Sequence, residues 1–331
     1  MHSLFLLCSL VAGLISHNQA PLFADHYAVA NQLLSEMTLD EKIAQILLVR
    51  YPDDAAAASI LEKYQFGGYI FFAKDFQGKS AAEVSQMTES LQKVAKVPIL
   101  TAVDEEGGLV ARVSSNQKLR KERFASPREL YVAGGLSLVR EDTLEKSRLL
   151  SSLGLNLNLA PVVDVSTNPA DYMYSRSLGE DAKVTSEFAR TVIDASRTFN
   201  AELTTRNPEK TESHEASTVS YTLKHFPGYG NDLDTHQGTS LDRRSLVDLL
   251  SIDLQPFRAG RIAGAEAVLV SHNIVTALDS VRPASLSPAV HDLLANVLGF
   301  TGVIITDDIA MGAIANPATT SSQNLANPSS E

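Results

Sequence analysis

Residues 224–236 concentrate groups that bind hydroxyls and transfer protons. The segment reads KHFPGYGNDLDTH, so a lysine and a histidine end an apolar run and a glycine-rich turn leads to a second histidine. Asp234 stands two residues before His236, and on a tight loop its carboxylate can accept a hydrogen bond from the imidazole. Such a bond fixes the ring tautomer and helps the ring to hold a proton near neutral pH, as a general acid must.

A pair of acids follows the apolar run 303–306, where Asp307 and Asp308 are adjacent. A carboxylate at this place can act as a nucleophile, or it can cap the helix that follows. Either acid can supply the cap. The doubled acid therefore leaves one carboxylate for chemistry.

Several motifs of this chain resemble those of family 3 glycoside hydrolases, in particular the bacterial β-N-acetylhexosaminidases. Residues 224–236 are similar to the family's KHFPGHG…DxH element, with Tyr229 in place of its second histidine. Residues 103–112 (VDEEGGLVAR) resemble D-x-E-G-G-R-V-x-R, with Leu109 where the family often has arginine. Further similar elements lie at 158–165, 175–179 and 302–311. The resemblance covers residues 36–314 and implies a barrel that hydrolyses glycosides.

The same resemblance implies roles for single residues. Asp307 would be the nucleophile, His236 the general acid and base, and Asp234 its dyad partner. The residues that would bind the sugar are Asp104, Arg112, Arg176, Lys224, His225 and, in a supporting role, His272. Asp164 would orient loops, and an exposed, salt-bridged surface residue is the alternative for Arg176. The chemistry needs an anion and a proton donor beside an oxocarbenium-like state, so no metal or organic cofactor is expected.

Seven short apolar runs alternate with longer amphipathic stretches. The runs are 47–51, 68–72, 98–103, 155–163, 221–225, 267–271 and 303–306, and the helices are expected at 81–97, 137–153, 182–199, 245–263 and 287–298. Residues 38–41 predict a capping box that opens one more helix. Alternating strands and helices with fully apolar strands indicate a parallel sheet covered by helices.

An open doubly wound sheet and a closed (β/α)₈ barrel both fit this alternation. Polar residues lie at the carboxyl ends of five different runs, at Asp104, Asp164, Lys224-His225, His272 and Asp307. A barrel gathers all strand ends around one mouth, whereas an open sheet offers a crevice at one switch point. We therefore predict an α/β fold of the TIM-barrel type. Residues 316–331 do not resemble the family's eighth strand, so the barrel is expected to stop after the seventh.

The composition and net charge of the chain limit the classes of molecule that it can bind. The chain has 331 residues, a hydrophobic fraction of 44% and a mean hydropathy of −0.02, which suit a buried core. A net charge of −11 argues against nucleic acid, whose binding needs clustered lysine and arginine. The expected partner is an oligosaccharide or muropeptide that contains N-acetylglucosamine. The single cysteine, Cys8, excludes disulfides and cysteine metal sites.

Residues 1–20 carry an apolar stretch of signal-peptide length that is too short to span a bilayer. They predict a secreted or periplasmic protein. A start-site artefact or a buried first helix in a cytoplasmic protein are the alternatives. We expect a catalytic barrel at 21–315, with a polar insertion at 201–218, and a disordered tail at 316–331.

Three functions remain open at this point. The first is a retaining exo-β-N-acetylglucosaminidase that acts on fragments of peptidoglycan or chitin. The second is a β-glucosidase of the same superfamily, a branch that has Ser-Asp-Trp at the nucleophile and takes its acid from a second domain. This chain has Thr306-Asp307-Asp308 and no tryptophan. The third is an inactive relic, because the barrel is expected to lack a strand.

Overall fold

The structure, a computed structural model, describes residues 21–206, 217–230 and 240–315. Seven strands form one parallel sheet in the order β1, β2, β3, β4, β5, β7, β9. They are β1 (Leu48–Arg50), β2 (Gly68–Phe71), β3 (Leu100–Val103), β4 (Leu157–Asn158), β5 (Ser220–Phe226), β7 (Ala267–Val270) and β9 (Val303–Thr306). Two further strands, β6 (Leu241–Asp242) and β8 (Ile274–Val275), form a separate parallel pair.

Helices connect the strands of the sheet. They are α1 (Tyr27–Glu36), α2 (Leu39–Gln45), α3 (Ala57–Tyr64), α4 (Ala73–Phe76), α5 (Ala81–Val94), α6 (Pro127–Ser152), α7 (Ala182–Arg206), α8 (Leu246–Asp248), α9 (Leu254–Ile262), α10 (Pro288–Asp292) and α11 (Gly312–Ala315). Turns of π-helix at Leu249–Asp253 and Leu293–Val297 extend α8 and α10. None of the helices in the described part of the chain has the length and apolarity needed to cross a bilayer.

Capping boxes begin three of the helices. Thr38, Ser80 and Ser126 each accept a hydrogen bond from the backbone of a glutamate three residues later, and that glutamate accepts one in return. The box satisfies two backbone donors that the first helical turn leaves open. The box predicted at 38–41 is thus confirmed.

The central strands of the sheet are buried on both faces. On the face away from the helices a small cluster consists of Ala102, Leu157, Leu159, Ala267 and Leu269. On the other face the strands pack against the helices, as where the rings of Phe226 and Phe257 meet edge to face at 5.2 Å. Because side chains alternate along a strand, a strand buried on both faces must be apolar throughout.

The sheet curls, but it is not closed by strand pairing. Neither β1 nor β9 pairs with a further strand among the described residues, and we call the gap between them the seam. At the carboxyl ends, Arg50 Nε donates to Asp308 Oδ2 at 2.7 Å across the seam. Near the amino end of β9, the backbone N–H of Leu22 donates to Thr301 Oγ1 at 2.9 Å. The sheet is therefore a seven-stranded barrel-type sheet that is open along one side.

The predicted barrel type and all seven predicted strands are confirmed. The strand predicted at 155–163 is confined to Leu157–Asn158, and the helix predicted at 81–97 ends at Val94. α6 and α7 differ most from the predicted helix bounds. α6 starts at Pro127, ten residues before the expected start, because Ser126 caps the helix there. The helix is then interrupted at Gly135, whose φ of 64° is not helical. α7 continues to Arg206, so the first six residues of the expected insertion are helical. Residues 207–216 of that insertion, the predicted signal segment 1–20 and the predicted tail 316–331 lie outside the described residues.

Candidate active site

Lys224, near the end of β5, is the centre of the polar mouth of the sheet. Its buried Nζ lies 2.8 Å from Asp104 Oδ1 and 2.6 Å from Glu106 Oε1, two acids of the loop that follows β3. Arg176 binds the same glutamate through two nitrogens, at 2.7 Å to Oε1 and 3.0 Å to Oε2. Two cations and two carboxylates thus form one hydrogen-bonded cluster.

The charges of this cluster stabilise one another. Burial alone would raise the pKa of Glu106, but Lys224 and Arg176 hold it well below its usual value. Burial alone would likewise lower the pKa of Lys224, and Asp104 and Glu106 raise it instead. Glu106, Lys224 and Arg176 are therefore charged at neutral pH, and each can donate to or accept from a hydroxyl group.

His225 is oriented by a buried carboxylate. Its Nδ1 lies 2.7 Å from Asp164 Oδ2, and its backbone N–H donates to the same oxygen at 3.2 Å. Because a carboxylate accepts, Nδ1 carries the proton, and Nε2 is left as an acceptor 3.5 Å from Arg176 Nη2. The other oxygen of Asp164 accepts from the backbone of Tyr229 at 2.8 Å. Asp164 therefore fixes both a ring and the loop after β5.

Asp307 directly follows β9, next to β7 in the sheet. Its backbone N–H donates to the Val270 carbonyl at 2.9 Å, and its Oδ1 accepts from the backbone N–H of Asp308 at 2.9 Å. Asp308 uses its own carboxylate for the turn at Ala310, at 2.9 Å, and for the ion pair with Arg50. The carboxylate that serves the local turn at Ala310 is therefore that of Asp308.

His272, which follows β7, supports the same turn. It is fully buried, with Nδ1 2.7 Å from Ser285 Oγ and Nε2 3.1 Å from the carbonyl of Asp308. A carbonyl can only accept, so Nε2 donates. His272 therefore holds the backbone beside Asp307 without facing the mouth as a free group.

A chain of contacts brings the strand ends together around the mouth. Asp308 after β9 binds Arg50 of β1, and the Arg50 guanidinium lies 5.6 Å from the ring centre of Phe72 after β2. Arg112 lies 5.8 Å from the same ring and 4.0 Å from Asp104, which follows β3. The predicted site residues on β3, β4, β5, β7 and β9 therefore share one end of the sheet.

Two glutamates of the mouth were missed by sequence reasoning. Glu106 carries the cluster described above, and buried Glu105 accepts from the backbone of Arg112 and Val113 at 2.8 and 2.6 Å. The sequence did contain a signal for these glutamates. Three consecutive acids (DEE) follow β3, just as two consecutive acids follow β9 at 307–308. Of the three acids in that run, only Asp104 was predicted to have a function.

The predicted dyad, Asp234 and His236, lies in 231–239, outside the described residues. The chain enters that segment at Gly230, next to buried Tyr229, whose ring contacts His225 at 5.6 Å and Tyr172 at 5.9 Å. The residues described do not include a group of three or more histidines, cysteines or acids arranged to hold a metal ion.

The sequence pattern of the glycosyl hydrolase family 3 N-terminal domain matches residues 38–327. The chain belongs to this family. Family membership confirms the resemblance of the motifs and places the chain among the glycoside hydrolases. A beta-hexosaminidase of Stenotrophomonas maltophilia (strain R551-3) is 31% identical over 257 residues, which cover 74% of this chain and 68% of that protein.

Two solved structures share the fold. A family 3 beta-N-acetylglucosaminidase from a Paenibacillus species superposes with a TM-score of 0.73 at 28% identity, over 84% of this chain. A family 3 glycosyl hydrolase from Mycobacterium smegmatis gives 0.70 at 31% identity, over 85% of this chain and 80% of that one. This chain spans 51% of the Paenibacillus protein, so it matches about half of that enzyme.

Proposed function

We propose that this chain is a retaining exo-β-N-acetylglucosaminidase that removes terminal N-acetylglucosamine from fragments of peptidoglycan or chitin. The observation that carries the proposal is the buried cluster of Lys224, Asp104, Glu106 and Arg176 on the same end of the sheet as Asp307. Fixed charges of both signs in a buried mouth suit a ligand with many hydroxyls. The names of the relatives at about 30% identity support the amino sugar.

In the proposed reaction, Asp307 attacks the anomeric carbon and His236 donates a proton to the glycosidic oxygen. The bond to the aglycone breaks, and a covalent glycosyl–enzyme intermediate forms. His236, now neutral, then removes a proton from water, which attacks the same carbon and releases the sugar with its original configuration. Phosphate in place of water would release a sugar phosphate instead.

The cluster would hold the terminal sugar during both steps. Asp104 and Glu106 accept from hydroxyls, whereas Lys224 and Arg176 donate. His225 Nε2 faces the same space with its lone pair, because Asp164 holds the proton on Nδ1. Hydroxyl contacts of this kind strengthen as the ring approaches the transition state.

A β-glucosidase is the second candidate, and no feature of the described mouth favours it. Purified protein would be incubated with 4-nitrophenyl glycosides of N-acetylglucosamine and of glucose, with and without phosphate, beside the Asp307→Asn variant. We expect release from the N-acetylglucosaminide alone and none with the variant. Release from the glucoside would support the second candidate, and release from neither would support the inactive relic.

We also propose that residues 1–20 direct export, on the strength of their apolar stretch. Mass spectrometry of the protein from the cell exterior or periplasm tests this. A mature chain that starts near residue 21 is expected, and an intact chain confined to the cytoplasm would contradict export.

A further inference from the structure

A fully buried carboxylate, that of Glu105, holds the segment that carries Arg112. Glu105 Oε2 accepts from the backbone N–H groups of Arg112 and Val113 at 2.8 and 2.6 Å. Its Oε1 accepts from the backbone N–H of Ser114 at 3.3 Å and from the hydroxyl group of the same residue. Three consecutive N–H groups therefore surround one carboxylate. Hydrogen bonds to a charged acceptor are stronger than those between neutral groups, so these contacts fix the backbone at 112–114.

Glu105 is itself fixed to the sheet. Its backbone N–H donates to Asn158 Oδ1 at 3.0 Å, and its carbonyl accepts from Asn158 Nδ2 at 3.2 Å. Asn158 is fully buried and ends β4, which pairs with β3. Because Glu105 lies just after β3, its carboxylate connects the segment 112–114 to the ends of two neighbouring strands.

The side chain of Arg112 is held less firmly than its backbone. Its Nη2 lies 4.0 Å from Asp104 Oδ2, beyond hydrogen-bond distance, and its guanidinium lies 5.8 Å from the ring centre of Phe72. Its buried Nε has no hydrogen-bond partner in the described part of the chain. The place of the guanidinium beside Asp104 therefore depends on where the backbone of Arg112 is held.

We propose that Glu105 is a positioning residue that sets the Arg112 guanidinium beside Asp104 for the binding of a sugar hydroxyl. The inference rests on the proposed function and on the predicted sugar-binding role of Arg112. Loss of the carboxylate leaves three N–H groups without their acceptor, so residues 112–114 must move towards water or other acceptors. Arg112 moves with them, whereas the cluster around Lys224 keeps its own contacts. The substrate is then bound more weakly.

A double-mutant cycle shows whether Glu105 acts through Arg112. With 4-nitrophenyl N-acetylglucosaminide, Glu105→Met and Arg112→Met should each lower kcat/KM about 10- to 100-fold, the weight of a hydrogen bond to a charged group. The double variant should lie within about twofold of Arg112→Met, because Glu105 then has no guanidinium left to position. Losses that multiply in the double variant overturn the proposal, and so does an unchanged kcat/KM in Glu105→Met.

The conservative variant keeps the cycle usable where Glu105→Met does not fold. Glu105→Gln retains the shape of the side chain and one oxygen that accepts two N–H groups. It should lower kcat/KM about 3- to 10-fold, less than Glu105→Met, and should add no further loss to Arg112→Met. A further loss in that pair contradicts positioning.

Asn116 offers a matched control, because it anchors the same loop elsewhere. Its Nδ2 donates to the carbonyls of Phe76 and Lys79 at 2.7 and 2.8 Å. Asn116→Ala therefore weakens the loop without removing an acceptor from the backbone of Arg112, and it should change kcat/KM less than about threefold. A loss as large as that of Glu105→Met would show that any weakening of the loop suffices, and it would overturn the proposal.

Nuclear magnetic resonance separates this inference from the proposed function. A wild-type protein that cleaves no N-acetylglucosaminide contradicts the function, but the Nε–H signal of Arg112 still reports where its side chain lies. That signal is assigned by its loss in Arg112→Met. It should shift or broaden in Glu105→Gln and stay in place in Asn116→Ala. An Arg112 signal that is unchanged in Glu105→Gln overturns the positioning role, whatever the activity.

Discussion

The two neighbouring strands β7 and β9 are alike in sequence but differ in packing. All four residues of β7 are buried, whereas Val303 and Ile304 of β9 are 43% and 38% exposed. β7 has a strand on each side, and β9 borders the seam. An apolar strand is thus buried by its neighbours, and its own composition does not guarantee that burial.

The same contrast extends to the helices. α1 and α2, which precede β1 on the other side of the seam, bury no residue, and Ile46 after α2 is 81% exposed. α7 and α9, next to β5 and β7, pack against each other and contribute buried side chains such as Phe188 and Phe257. Unpaired strand edges beside exposed apolar groups favour association with other chains. The seam is therefore the part of the molecule where we expect low stability and aggregation.

The largest expected effect concerns a residue at the edge of the seam. Asp307→Asn should lower kcat at least about 10³-fold, because it removes the charge of the proposed nucleophile with little change in volume. Asp308→Asn is the matched control, and it should cost much less, since its carboxylate serves a turn and an ion pair. A larger loss in the Asp308 variant would exchange their roles. This pair tests whether a loosely packed edge can hold a nucleophile.

Ion pairs at the mouth allow the buried sheet and the seam to be compared directly. Lys224 forms buried ion pairs, whereas Arg50 forms an exposed one at the seam. Lys224→Met should destabilise the protein by about 3–5 kcal/mol, because Asp104 loses the buried cation at 2.8 Å and Glu106 keeps only Arg176. Arg50→Met at the seam should cost less than about 1 kcal/mol, since the Arg50 side chain is 60% exposed. Urea unfolding of both variants measures the difference. Similar costs would mean that the seam pair is as important as the buried cluster.

The same substitution in the two strands isolates the effect of burial. Val268→Ala in β7 should cost about 2 kcal/mol, because two buried methyl groups are lost from a side chain that is 1% exposed. Val303→Ala in β9 should cost less than about 0.5 kcal/mol. Thermal melts of the two variants measure the two losses of stability. A large cost at Val303 would show that another chain or segment covers the seam.

Amide hydrogen exchange compares the strands that border the seam with β7 in the unsubstituted protein. Leu48–Arg50 and Val303–Thr306 should exchange much faster than Ala267–Val270, because within the described part of the chain each bordering strand has one unpaired edge. Mass spectrometry of peptides from each strand would follow the exchange. A monomer with a cooperative melt and strong protection in both bordering strands would contradict an open barrel.

The smallest effect is expected on the exposed helix α2. Lys96 and the Thr38 cap lower the pKa of Glu41 to about 2. A lowered pKa adds stability above the ordinary value of 4.5, and that stability is lost as the pH falls towards 2. Glu41→Gln should therefore lower Tm slightly at pH 7 and less at pH 3. The same shift at both pH values would assign the effect to the helix cap alone.

The strands could be predicted because the signal lies within each run. Residues 267–270 are apolar throughout, as a strand covered on both faces requires. The start of α6 could not be found from periodicity, because glycines at 134 and 135 interrupt the pattern that the Ser126 cap begins. The exposure of Ile46 depends on which neighbours surround the finished sheet, and no local pattern contains that information.

The site was predictable where a residue ends a strand. Asp104, Lys224 and Asp307 were found that way, although their roles remain predictions. Glu106 was missed because its importance comes from Lys224 and Arg176, which are distant in sequence.

The Arg50–Asp308 ion pair joins residues that are 258 positions apart in the chain. During synthesis β1 emerges early, and its partner across the mouth is among the last described residues to leave the ribosome. Closing so long a loop carries a large entropic cost, and contacts of this range form late in folding. β1 therefore lacks this contact until 258 further residues have been made, and among the described residues one of its edges stays unpaired. Chaperones that bind emerging chains would have their longest opportunity at that edge.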